Sequence, residues 1–132
     1  MQTFLPYSNF VDSAAILDYR RLGKQRVECF QLLKALKYGG GWSNHPACKM
    51  WRGYEEALET YMAECIAEWV RRGYKNTMSA KIHIGYKSPP WFGDEGFHAS
   101  HRSNLLRKDP AYYSRFDWKE PDDLPYVWPV QD

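Results

Sequence analysis

The chain has 132 residues, of which 44% are apolar and 26% charged, with a formal net charge of +2. That is one domain's worth of sequence with enough apolar side chains to bury a core, which excludes intrinsic disorder. The apolar runs are far too short to span a membrane, and the opening MQTFLPYSNF lacks the basic region and long apolar stretch of a secretory signal, so a soluble, cytoplasmic protein is expected.

The three cysteines, Cys29, Cys48 and Cys65, are odd in number and widely spaced, which points to reduced thiols. Charge is unevenly distributed. Residues 1–116 carry 17 basic and 11 acidic side chains, whereas residues 117–132 carry one Lys and five acids. A basic body with an acidic tail suits a polyanionic partner. Aromatic content is high, at 17% with six Trp. Aromatic rings fill cores, and they also stack on bases or wedge into a duplex.

In chain order, the segment from Phe4 to Phe10 contains Pro6 and reads as an extended entry. Asp12 or Ser13 can cap a helix running to about Lys37, with Ile16, Tyr19, Val27, Phe30 and Leu33 at helical spacing. Gly23 falls mid-helix, at a cost of about 1 kcal/mol against Ala, and marks a kink or a close backbone approach. Gly39-Gly40-Gly41 closes the unit. Asn44-His45-Pro46 starts a second helix that Gly53 interrupts. From Tyr54 to Arg72 the stripe Leu58, Tyr61, Met62, Cys65, Ile66 and Trp69 is expected to be buried, with Glu55, Glu56, Glu59 and Glu68 in water and Gly73 as the C-cap. Lys81 to Tyr86 is a short strand or an irregular loop, and Ser88 to Asp94 is a loop. A third helix spans about Ala99 to Lys108, and Trp118 to Trp128 lies extended over the surface. The fold class that follows is all-α: one compact domain over residues 1–132, with three main helices, an extended N-terminal segment and an irregular tail.

The most informative stretch is Asp18-Tyr-Arg-Arg-Leu-Gly-Lys-Gln-Arg-Val-Glu28, where Arg20, Arg21, Lys24 and Arg26 follow one another with no acid between. On a helix, Leu17, Arg21, Lys24 and Glu28 share a stripe, which places one carboxylate beside a basic strip. This is either a phosphate-gripping face with a catalytic acid at its end or a solvated face with a Lys24–Glu28 ion pair. His98 and His101, near Asp94, have no HExxH or CxxC companion, so phosphate or core contacts are favoured over a metal. Arg102, Arg107 and Lys108, with Ser103 and Asn104, form a second basic segment suited to DNA contact. His45 beside Cys48 reads as a neighbour of a buried structural thiol.

Three stretches together resemble the pyrimidine-dimer DNA glycosylases of the phage endonuclease V type, in a bacterial and phage branch. They are Leu17 to Glu28, Ala63-Glu-Cys-Ile-Ala-Glu-Trp-Val-Arg-Arg-Gly-Tyr74, and Gly93-Asp94 leading to His98, His101 and Asp109-Pro110 with two aromatics. The resemblance implies a compact all-helical enzyme acting on damaged double-stranded DNA, as a monomer, with no metal and no cofactor. It implies that the N-terminal α-amine attacks the sugar C1′ and displaces the base, and that β-elimination from the resulting Schiff base nicks the strand. The family's catalytic carboxylate falls on Glu28. Gln2 is bulky enough to keep Met1 in place, so Met1 would supply the amine, and an α-amine titrating at about 7.7–8.0 is partly neutral near pH 7. The implied DNA contacts are Arg20, Arg21, Lys24, Arg26, His98, His101, Arg102, Arg107 and Lys108. Two other functions fit the same residues: excision of a different damaged or modified base, and DNA binding without catalysis.

Overall fold

The computed structural model describes residues 1–130 and contains helices and no strand among them. Its α-helices are α1 (Phe10–Ala15), α2 (Tyr19–Tyr38), α3 (Pro46–Lys49), α4 (Glu55–Arg71), α5 (Glu95–Lys108) and α6 (Pro110–Tyr113), joined by two short 3-10 turns. The three long helices α2, α4 and α5 carry the architecture, and α1 and α2 both pack on α4.

The single helix expected from residue 12 or 13 to about 37 is two helices. Asn9 caps α1 by accepting the Asp12 N–H at 2.9 Å. Asp18 then takes an extended backbone and caps α2 by accepting the Arg21 N–H, while the Tyr113 hydroxyl accepts the Asp18 N–H at 3.1 Å and donates to its carboxylate. A capping residue must leave helical geometry, so the chain breaks there. The inward face of α2 is also rotated from the apolar pattern. It presents Leu22, Gln25, Glu28, Cys29 and Leu32, and leaves Tyr19, Val27 and Phe30 about half exposed.

The expected stripe of α4 largely holds. Leu58, Tyr61, Met62 and Cys65 are buried, while Ile66 and Trp69 are half-buried. Glu68 is a correction: it is buried, held by Arg71 and by Arg72 Nε at 2.7 Å. Gly23 marks a close approach, since a Cβ there would lie 2.9 Å from Trp69 Cζ3. The third helix begins four residues earlier than expected, where Asp94 accepts the Gly96 N–H at 3.0 Å. The 81–86 stretch is irregular rather than a strand. Trp51, Trp91, Phe97 and Tyr113 are among the aromatics that fill the core, and all three cysteines are buried thiols.

The feature that organises the molecule is the N-terminal segment. Residues 2–6 are buried in extended form, where backbone groups need partners that no sheet or helix supplies. Side chains supply them. Gln25 Nε2 donates to the Gln2 carbonyl at 2.8 Å, and Gln25 Oε1 accepts the Phe4 N–H at 2.7 Å. The Tyr61 hydroxyl donates to the Phe4 carbonyl. His101 Nδ1 accepts the Leu5 N–H at 2.9 Å, and His98 Nδ1 donates to the Leu5 carbonyl at 2.7 Å. Arg102 Nη1 donates to the Pro6 carbonyl at 2.7 Å. His98, His101 and Arg102 are therefore corrected from DNA contacts to parts of a socket, buried behind the segment they hold. Arg102 is further paired with Glu95 and Glu120.

This socket makes stability depend on pH. Burial lowers the pKa of both imidazoles below the ordinary 6.5, that of His101 to about 3. Below pH 6.5 the unfolded chain takes up protons that the folded chain refuses, so stability falls as pH drops toward the folded values. His101 alone costs about 2 kcal/mol at pH 5, at about 1.4 kcal/mol per pH unit. Urea unfolding at pH 7.5 and pH 5 is expected to show a lower midpoint in acid, above the range where the carboxylates titrate. An unchanged midpoint would mean these rings are not buried in their neutral forms.

Candidate active site

The socket delivers the start of the chain to the middle of α2. The Gln2 N–H donates to Glu28 Oε2 at 3.1 Å, and covalent geometry keeps the Met1 nitrogen within about 7 Å of that oxygen. Met1, Gln2 and Glu28 line one cavity of about 490 Å³. Glu28 is nearly covered, and its Oε1 makes no hydrogen bond among the described residues.

One wall of this cavity is α2, which contributes Arg20, Arg21, Lys24 and Glu28. The expected stripe is real: Arg21, Lys24 and Glu28 lie one turn apart along the same face. Lys108, at the end of α5, stands on another side. Arg21 is shared with Asp18 at 3.1 Å, whereas Arg20, Lys24 and Lys108 have no carboxylate partner among the described residues. Cations without protein partners around a single acid form a basin of positive potential. Phosphates entering it would meet donors not already committed elsewhere.

The other wall comes from residues that sequence reasoning did not select. His45, at the start of α3, and Tyr126 and Trp128, in the tail, line the cavity. His45 Nδ1 accepts the Ala47 N–H at 3.0 Å, and its pKa is lowered by burial and by the charge of the nearby N-terminal amine. Burial pushes the Tyr126 phenol up to about 12, so it stays protonated. The tail is pinned rather than draped. Leu124 N–H donates to Ser103 Oγ at 3.0 Å, and Asn104 Nδ2 donates to the Leu124 carbonyl at 3.0 Å. Sequence carries a faint local signal for His45, as the residue before a helix-initiating Pro, and none for the two tail aromatics.

Two further expected contacts lie outside the cavity. Arg26 is spent between helices, its guanidinium 4.3 Å over the Trp69 ring and bonded to Asn76. Arg107 is exposed and reaches Asn104 and the tail carbonyls. No group of three or more His, Cys, Asp or Glu side chains that could hold a metal occurs among the described residues. The chemistry available around this cavity is that of an amine, a carboxylate, an imidazole and cations.

A family model described as pyrimidine dimer DNA glycosylase matches residues 1–82. No curated protein and no solved structure matches the chain. The matched stretch contains the N-terminal segment, α1 to α4, Glu28 and His45, and stops before Lys108, Tyr126 and Trp128. It covers well over half of the 132 residues, and on that ground the chain belongs to the pyrimidine dimer DNA glycosylase family, whose substrate is DNA.

Proposed function

We propose that this protein excises pyrimidine dimers from ultraviolet-damaged duplex DNA and then nicks the strand, with the Met1 α-amine as nucleophile and Glu28 as its carboxylate partner. The observation that carries this reading is the 3.1 Å bond from the Gln2 N–H to Glu28 Oε2 inside a basic cavity. It tethers the amine beside the acid.

The neutral amine attacks C1′, and the C1′–N1 bond breaks with its electron pair leaving on the base. The attacking nitrogen is then an ammonium. Glu28 accepts its proton and returns one to O4′ as the sugar ring opens, leaving a Schiff base between Met1 and C1′. Removal of a C2′ proton then expels the 3′ phosphate by β-elimination. Arg20, Lys24 and Lys108 hold the flanking phosphates, and the nucleotide reaches the cavity by flipping out of the stack. Every group in this scheme comes from one chain, so the scheme needs no second copy.

Borohydride reduces a Schiff base to a stable amine. Incubating the protein with a dimer-containing duplex and an abasic duplex, each with borohydride, is expected to give a covalent adduct on both, with the modified peptide beginning at Met1. Glycosyl-bond cleavage without an adduct would indicate a hydrolytic glycosylase. Binding with neither cleavage nor adduct would indicate a DNA-binding protein that has lost the chemistry.

A further inference from the structure

His45 has no part in the scheme above, yet its geometry is specific. Its Nδ1 accepts the Ala47 N–H at 3.0 Å, occupying one of the free donors at the start of α3. A ring nitrogen that accepts a hydrogen bond carries no proton, so in the neutral ring the proton sits on Nε2. Nε2 makes no hydrogen bond among the described residues, and the ring lines the cavity shared by Met1 and Glu28. The ring plane is held edge-on between Trp42 and Trp128, with centroids 5.5 and 5.8 Å away. Burial and the neighbouring amine keep the imidazole neutral at neutral pH. The cavity therefore contains, among its cations, an oriented and uncharged N–H donor in the His45 ring.

We propose that His45 Nε2–H donates a hydrogen bond to O2 of the departing pyrimidine. This rests on the excision scheme above and names the group that assists the leaving base. When the C1′–N1 bond breaks, its electron pair moves onto N1. In an intact pyrimidine that charge spreads both through C2=O2 and through the C6=C5 bond to O4. In a cyclobutane dimer C5 and C6 are saturated, so the C2 carbonyl is the only conjugated outlet and O2 carries the growing charge. O2 is also the base oxygen nearest C1′, where the Met1 amine must arrive. A fixed donor aimed at an oxygen that becomes negative acts more strongly in the transition state than in the ground state. His45 keeps its proton throughout, and the freed N1 is protonated by water while the base stays joined to its neighbour through the cyclobutane ring.

His45→Asn separates this role from folding. Asn is a good N-cap and its side-chain oxygen can accept the Ala47 N–H, but it places no donor where Nε2 was. Single-turnover cleavage of the C1′–N1 bond in a dimer duplex, read as base freed after photoreversal of the dimer, is expected to fall about 10²-fold, the usual effect of removing one such donor. Nicking of an abasic duplex, from which no base departs, and its borohydride adduct are expected to stay within a few-fold of the parent protein, with an unchanged melting temperature. Equal losses on both duplexes, or full dimer activity in the variant, would overturn the assignment. A parent protein that cleaves no C1′–N1 bond in a dimer and traps no abasic sugar would remove the excision scheme itself, and this assignment with it.

Discussion

Glu28→Gln is expected to slow dimer excision by on the order of 10²–10⁴-fold while duplex affinity is kept or raised. The substitution is nearly isosteric, and the amide oxygen it introduces can still accept the Gln2 N–H that the carboxylate accepts at 3.1 Å, so the N-terminal segment stays seated. What is lost is the negative charge and the proton-accepting oxygen. The cavity then holds Arg20, Lys24 and Lys108 with no opposing acid, which favours phosphate. Single-turnover glycosyl-bond cleavage and a binding titration at fixed salt measure the two effects separately. Excision at the parent rate would show that no proton passes through this side chain. Loss of binding together with activity would indicate a collapsed site rather than a missing base.

The second large effect concerns the other half of the pair. Adding Gly-Ser ahead of Met1 moves the amine by about 7 Å, two residues' length, and leaves an amide where the nucleophile stood. The borohydride adduct and glycosyl-bond cleavage are expected to disappear, with duplex affinity within a few-fold, because Arg20, Lys24 and Lys108 are untouched. Lys24 and Lys108 also carry amines in the cavity, so mapping the adduct decides between them and Met1. An adduct on either lysine in the unextended protein, or an extended protein that traps at the parent level, would rule out Met1 as the nucleophile.

Parts of this site are legible in the sequence because they are local. Arg21, Lys24 and Glu28 share a helix face by spacing alone, and that face does line the cavity. The reduced thiols, the extended entry and the long α4 are similarly short-range inferences. The misreadings share a different cause. A cluster of His and Arg looks the same in sequence whether it faces water or a buried strand of backbone. His98, His101 and Arg102 answer to Leu5 and Pro6, more than 90 residues away, and no pattern near residue 100 records that demand. The phase of α2 escapes sequence reasoning for the same reason. Gln25 and Glu28 face inward because the N-terminal segment needs them there, while Val27 and Phe30, more apolar, face out. His45, Tyr126 and Trp128 meet at the cavity from separate parts of the chain, which only the folded topology brings together.

The way the first six residues are held has a consequence for biosynthesis. Met1 and Gln2 emerge from the ribosome first, but Leu5 has no acceptor or donor until His98 and His101 follow, about 95 residues later. A nascent chain that has reached only α4 has Glu28 and the cations of α2, yet nothing on the α5 side to pin the leading segment against them. The leading segment thus gains the second half of its socket only once α5 has been made, and products truncated before α5 would hold it by Gln25, Glu28 and Tyr61 alone.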